Sequence, residues 1–170
     1  MSGMTSSRTT AYLFAVMAGG FLLSLAWSVP LLPDRVASHF VADGTPNGWM
    51  SRNVHLTIIL MLGCGLPLVS VGLFYVLRMF PVEMINLPRR EYWLAPEQRL
   101  ETFAWLFRQS LWVACLEITF VAGINLLILQ ANSTVPPHLS PAPTLALVFC
   151  FVAGVVVWIV NLILHFLKGD

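Results

Sequence analysis

The chain has 170 residues, 58% of them hydrophobic and only 10% charged, with a formal net charge of +1 and a mean hydropathy of +0.80. An average soluble domain is about 45–50% apolar and about 25% charged, so a soluble single domain is excluded. There is no basic excess to neutralise nucleic-acid phosphates, and at about 20 residues per spanning helix the length holds four spans but not four spans plus a folded soluble domain.

Four uncharged or nearly uncharged stretches appear: Ala11 to Leu32, Val54 to Leu77, Gln109 to Gln130 and Pro143 to Leu167. Each is long enough to cross the hydrocarbon core as a helix. They predict an all-α membrane protein forming one domain over residues 1–170, in contact with the lipid bilayer. The first run is longer than the apolar heart of a signal peptide, although Ala26-Trp27-Ser28 loosely imitates a cleavage site, and it reads as a retained helix. Arg8, the central arginines Arg78, Arg89, Arg90, Arg99 and Arg108, and Lys168 oppose only Arg35 and Arg52. This positive-inside bias predicts cytoplasmic N and C termini, a cytoplasmic central segment and two outward loops.

The outer loop at 33–53 carries Asp43-Gly44 and Asn47-Gly48 around Pro46. These turn-forming pairs predict a compact, turn-rich loop with a short hairpin around Ser38–Ala42, and place Trp49 at the membrane interface. In the second span, Gly63-Cys64-Gly65-Leu66-Pro67 predicts a thinned, kinked helix that allows a neighbour close approach. Prolines 81, 88 and 96 divide the cytoplasmic segment at 78–108, and Pro96-Glu97 is a good helix start. Leu100, Phe103, Ala104 and Phe107 then recur at i, i+3, i+4 and i+7, an amphipathic pattern. Such a helix can lie on the membrane surface or run straight into the third span as one helix of about 34 residues, about 50 Å long, and with no glycine or proline intervening the continuous helix is the one expected. The second outer loop, proline-rich and uncharged, reads as a connector; its Asn132-Ser133-Thr134 matches a glycosylation acceptor, a tripeptide common by chance.

Glu117 is the acid inside a span, and an ionisable residue in the hydrocarbon zone is a functional candidate by default. Counting residues from the cytoplasmic ends places Glu117, Asn161 and Ser70 at a common depth of about 9–13 Å, with Glu117–Asn161 as the expected interhelical contact. A protonated Glu117 fixing helix packing is weighed there against a proton-coupled or ligand-binding carboxylate. His39, Asp43 and His55 are the candidate metal or acid–base groups of the outer side, but their spacing matches no zinc motif, so no metal and no cofactor is expected. His138 and His165 lie far off in sequence and read as unrelated. Cys64, Cys115 and Cys150 fall within apolar runs and read as small buried hydrophobes. Neither a nucleophile elbow, a P-loop nor a dinucleotide fingerprint is present, and no catalytic residue is assigned.

Within the first outer loop, Leu32-Pro33-Asp34-Arg35-Val36, His39-Phe40, Gly44, Pro46, Gly48-Trp49 and Ser51-Arg52 resemble the signature of a bacterial membrane domain of unknown function at the N-terminus of the SdpI-like immunity-protein family. Ala37 stands where that pattern has a second proline, and Asn47 where an acid is common. Asn86-Leu87-Pro88 and Tyr92-Trp93-Leu94-Ala95-Pro96-Glu97 resemble the segment that follows the domain in some relatives. The resemblance implies a multi-pass protein of the bacterial inner membrane. The family's namesake confers immunity to a secreted toxic peptide and sequesters a cytoplasmic repressor.

The expected function is non-enzymatic: binding, signalling or an immunity-like role for a protein partner in or at the membrane. The outer-loop contacts would be His39, Phe40, Asp43, Gly44, Gly48, Trp49 and Arg52, and the cytoplasmic platform Tyr92, Trp93, Phe103 and Phe107. Two alternatives stand beside it: an accessory subunit of a larger membrane complex, and a membrane enzyme or proton-coupled transporter using Glu117.

Overall fold

The computed structural model describes residues 2–168. Among them are four helices long and apolar enough to cross a membrane, Arg8–Ser28, Arg52–Met79, Arg99–Asn132 and Pro141–Leu167, and the chain is a multi-pass membrane protein. In chain order the elements are α1 (Ser2–Ser28), strands β1 (Arg35–Phe40) and β2 (Pro46–Ser51), α2 (Arg52–Leu60), a wide π turn at Met61–Gly65, α3 (Leu66–Val76), the short α4 (Arg90–Trp93), α5 (Arg99–Asn132) and α6 (Pro141–Leu167).

Helix α5 is the axis of the bundle. Helices α1, α3 and α6 pack chiefly against it and little against one another. Its 34 residues run without a break from the linker into the span, as the absence of glycine and proline over 99–122 predicts. The helix starts at Arg99, just past Pro96-Glu97, because Gln98 and Arg99 first donate backbone bonds to the Ala95 carbonyl and close a turn. At 1.5 Å per residue it is about 50 Å long against a hydrocarbon core of about 30 Å, so one end stands clear of the apolar zone.

The core is a cluster of Phe21 and Leu25 from α1, Ile59 from α2, and Ile118 and Val121 from α5. Gly63 makes this possible: a Cβ there would overlap the Phe21 ring. Pro67, itself fully buried, lacks an N–H and would crowd the carbonyl four residues earlier in a regular helix, and the wider turn at Met61–Gly65 relieves that conflict. The glycine-proline notch is thus a close-packing device.

Helix α6 lies antiparallel on α5. Trp105 stacks on His165 with ring centres 3.7 Å apart, Trp158 Nε1 donates to the Gln109 carbonyl at 3.0 Å, and Phe120 stacks on Phe151 at 4.2 Å. This register decides the polar pairing within the membrane. Asn161 falls opposite Gln109, donating to its Oε1 at 3.4 Å, and not opposite Glu117. The expected Glu117–Asn161 contact therefore does not form, because Gln109 and Glu117 are two turns apart on α5, about 12 Å along the axis. Glu117 instead accepts a hydrogen bond from Ser70 of α3, 2.8 Å from Oγ to Oε1, and its Oε2 is buried without a partner.

All three cysteines are free, but only Cys115 is buried. Cys150 is exposed on α6, where an apolar residue faces lipid and not a protein core.

Candidate functional site: a clamped hairpin above a buried polar chain

The loop between the first two spans is a β-hairpin. The first helix ends at Ser28, earlier than Leu32, and the strands pair antiparallel with Arg35 opposite Ser51 and Ala37 opposite Trp49. The turn lies at Asp43-Gly44, further along than Ser38–Ala42. The Gly44 amide donates to the Val41 carbonyl and the Val41 amide to the Thr45 carbonyl, both at 2.9 Å, which is a three-residue hairpin loop with a left-handed third residue. Gly44 supplies that conformation at φ +87°. Asp43 steadies the turn by accepting from the Thr45 amide at 2.9 Å and from its hydroxyl at 2.7 Å. Those two bonds, the backbone one foremost, hold the Asp43 carboxyl below its ordinary value of 3.8.

Four clamps weld this hairpin to the bundle. Arg52 Nη2 pairs with Asp34 at 2.9 Å, while its Nη1 donates to the Leu32 carbonyl at 3.1 Å beyond the end of α1. Asn132, the last residue of α5, treats β1 as a neighbouring strand: its Oδ1 accepts from the Ala37 amide at 2.8 Å and its Nδ2 donates to the Ala37 carbonyl at 3.0 Å. An edge strand's open backbone groups are thereby satisfied by a side chain. The segment after α5 forms the third clamp, for the Leu139 amide donates to the Gly44 carbonyl at 2.9 Å and a Cβ on Gly44 would collide with the Leu139 carbonyl. The fourth is apolar: Leu32, Val36 and Ala37 are buried under the hairpin.

Beneath the hairpin a chain of polar side chains ties α1, α2 and α5 together. His55 Nε2 lies 3.1 Å from Asn125 Oδ1, Asn125 Nδ2 donates to Ser28 Oγ at 3.3 Å, and Ser28 Oγ donates to the Leu25 carbonyl at 2.7 Å. All three residues are at most 2% exposed. The order of donors follows from the last bond. The Ser28 proton is spent on Leu25, so its oxygen accepts from Asn125; the amide nitrogen therefore faces Ser28 and the amide oxygen faces His55, whose Nε2 must carry a hydrogen.

These contacts redistribute the candidate residues. His55 is a buried structural donor. His39 is exposed on β1 and lies across Gly48, where a Cβ would come within 2.8 Å of its ring. Asp43 sits at the turn, and among the described residues no group of three His, Cys, Asp or Glu side chains could hold a metal ion. Arg52 and Gly44 hold the hairpin in place. His39, Phe40, Gly48 and Trp49 do share the hairpin, with Trp49 41% exposed and the Arg35 guanidinium 5.5 Å over its ring centre. The four platform residues do not form one surface. Trp93 turns to α6, donating from Nε1 to the Phe166 carbonyl at 3.1 Å and packing on His165 at 4.7 Å, with Tyr92 against it at 5.1 Å. Phe103 and Phe107 face α3 across α5; residues 103 and 105 lie about 200° apart on a helix wheel.

Several structural partners carried little sequence signal. Ser28 looks like an ordinary helix end, and Asn132 like a chance acceptor tripeptide, yet both atoms of its amide are engaged. His138 lies beside Gly44 and adds an attractive charge toward Asp43, so the second loop is a docked element and not a bare connector. His165 is the filling of an aromatic stack. Asn125 is absent from the candidates too, although its signal is there: an amide inside an apolar run must find partners, for the reason that singled out Glu117.

Neither a curated protein nor a solved structure matches the chain. Residues 6–63, which comprise the first span, the hairpin and the start of the second span, match the family model described as Domain of unknown function (DUF1648).

Proposed function

We propose that this chain is a single-domain, non-enzymatic protein of the bacterial inner membrane whose hairpin is a recognition surface for a protein partner. In this reading the termini and the 78–108 linker are cytoplasmic and the hairpin faces outward, as the seven-to-two bias of basic residues requires. One observation carries it. The buried residues Val36 and Ala37 and the backbone of Ala37 and Gly44 are committed to the bundle, while His39, Arg35 and Trp49 stay at the hairpin's surface, and exposed aromatic and arginine side chains on a rigid support are what binding hot spots are made of. An immunity-like role, as in the SdpI-like proteins that the loop resembles, is one form such recognition takes. The hairpin stands directly on α2, so a partner that tilts this helix about the π turn would carry a signal to the linker.

Two experiments test it. A photoreactive phenylalanine derivative at position 49, in the native membrane, should yield a discrete crosslinked protein that disappears on His39→Ala; a hairpin without any crosslink is a structural clasp. Single cysteines at Asn47 and Glu97, in a background with the native cysteines replaced by serine or alanine, fix the orientation. A membrane-impermeant maleimide added to intact cells should label position 47 and spare position 97, and the reverse pattern refutes the topology.

A further inference from the structure

We propose that the groove between the end of α3 and the start of α5 is a binding site for an anionic phospholipid. It is a cleft of about 450 Å³, within the range of small-ligand pockets. Phe74 and Tyr75 form one wall, Phe103 and Phe107 the other, and Arg78 and Arg99 stand at its mouth.

Three features select the occupant. First, the charges sit at the right end of the bundle: Arg78 is one residue from the end of the second span, where apolar core gives way to headgroups, and Arg99 is the first residue of α5, on the stretch ahead of Gln109 that extends past the apolar zone into the headgroup side. Second, the two guanidiniums are oriented but not neutralised. The Arg78 centre lies 3.2 Å from the Tyr75 ring centre and that of Arg99 5.7 Å from Phe103. A guanidinium held over a ring by cation–π attraction spends no N–H donor on a carboxylate and so keeps donors for an acceptor such as phosphate. No carboxylate lines the groove, and neither arginine is in an ion pair with a described residue. Third, the groove opens on the outside of the bundle. Leu100 is 84% exposed and Leu73 and Met79 are similarly bare, so the surroundings are those of an annular lipid. A phosphate held between the arginines would lead its acyl chains along the aromatic walls, as basic pockets between membrane helices do for acidic headgroups. The proposal holds whichever leaflet this end occupies and is independent of the hairpin's role.

The test is native mass spectrometry of the full-length protein in mild detergent with added phosphatidylglycerol or phosphatidylcholine. Phosphatidylglycerol should remain bound at activation energies that strip phosphatidylcholine, with a preference of about tenfold. The preference should vanish in Arg78→Gln/Arg99→Gln, persist in Arg35→Gln, and be lost equally in Ala104→Glu, which sets a carboxylate in the groove wall and leaves both arginines. Elution and circular dichroism matching the wild type qualify each variant, and if the double variant fails them Ala104→Glu decides. Equal retention of the two lipids by the wild type, or an undiminished preference in a folded groove variant, overturns the proposal. Displacement of the lipid by millimolar inorganic phosphate also overturns it, since the site would then bind a free anion.

Discussion

Replacing Asn125 with alanine should destabilise the bundle by about 2–4 kcal/mol. The substitution removes two hydrogen bonds that join α5 to α2 and α1, and interhelical hydrogen bonds in membranes average about 0.6 kcal/mol each. The larger loss is asymmetric. Ser28 keeps its bond to the Leu25 carbonyl, but the His55 Nε2 hydrogen is stranded at a site only 2% exposed, and an unsatisfied buried donor costs about 1–3 kcal/mol. A double-mutant cycle separates these contributions. In a His55→Leu background nothing is left to strand, so Asn125→Ala should cost only the bond to Ser28, about 0.6 kcal/mol, and the coupling between the two positions should be about 1.5–3.5 kcal/mol. Reversible unfolding in mixed micelles, titrating sodium dodecyl sulfate against a mild detergent and following tryptophan fluorescence, gives all four corners. A loss below about 0.5 kcal/mol for Asn125→Ala, or a coupling near zero, would show that water reaches His55 and would refute the buried polar chain.

Three further outcomes follow from the same structure. Gly63→Leu should destabilise by about 1–3 kcal/mol through overpacking against Phe21, and Phe21→Ala should recover part of that in the same unfolding assay; additive losses would mean the two do not touch. Glu117→Gln keeps an acceptor for Ser70 and should leave stability within about 1 kcal/mol of wild type; if a partner-dependent activity then falls while stability holds, Glu117 carries a proton and the non-enzymatic reading fails. For Asp43 the folded carboxyl is held below 3.8 by bonds from Thr45, so its stabilisation of the turn is complete above that value and is lost as pH falls through the lower folded value. A carboxyl carbon resonance of Asp43 should therefore titrate below 3.8, and Thr45→Ala should move it upward; a midpoint at or above 3.8 in the wild type contradicts the turn geometry.

Much of this molecule is legible in residue order, and the reason is the solvent. A bilayer forces every backbone group in its core to be satisfied within its own segment, so uncharged runs of sufficient length are helices, as the four spans are. Continuity of α5 follows from the absence of breakers, and the existence of a tight turn between the first two spans from the Asp-Gly and Asn-Gly pairs, but only the folded chain places that turn at Asp43-Gly44 and draws Asn47-Gly48 into β2. What the sequence leaves open is register, because a helix wheel gives the face of each side chain but not the depth at which a neighbouring helix meets it. Only the packed bundle pairs Glu117 with Ser70 and Asn161 with Gln109. Only it closes Ser28, Asn125 and His55, far apart in the chain, into one hydrogen-bonded path. It also decides that Arg52 and Asn132 serve the hairpin's backbone, which leaves Trp49 and His39 facing out, and that Arg78 and Arg99, separated by a whole linker, meet at one groove.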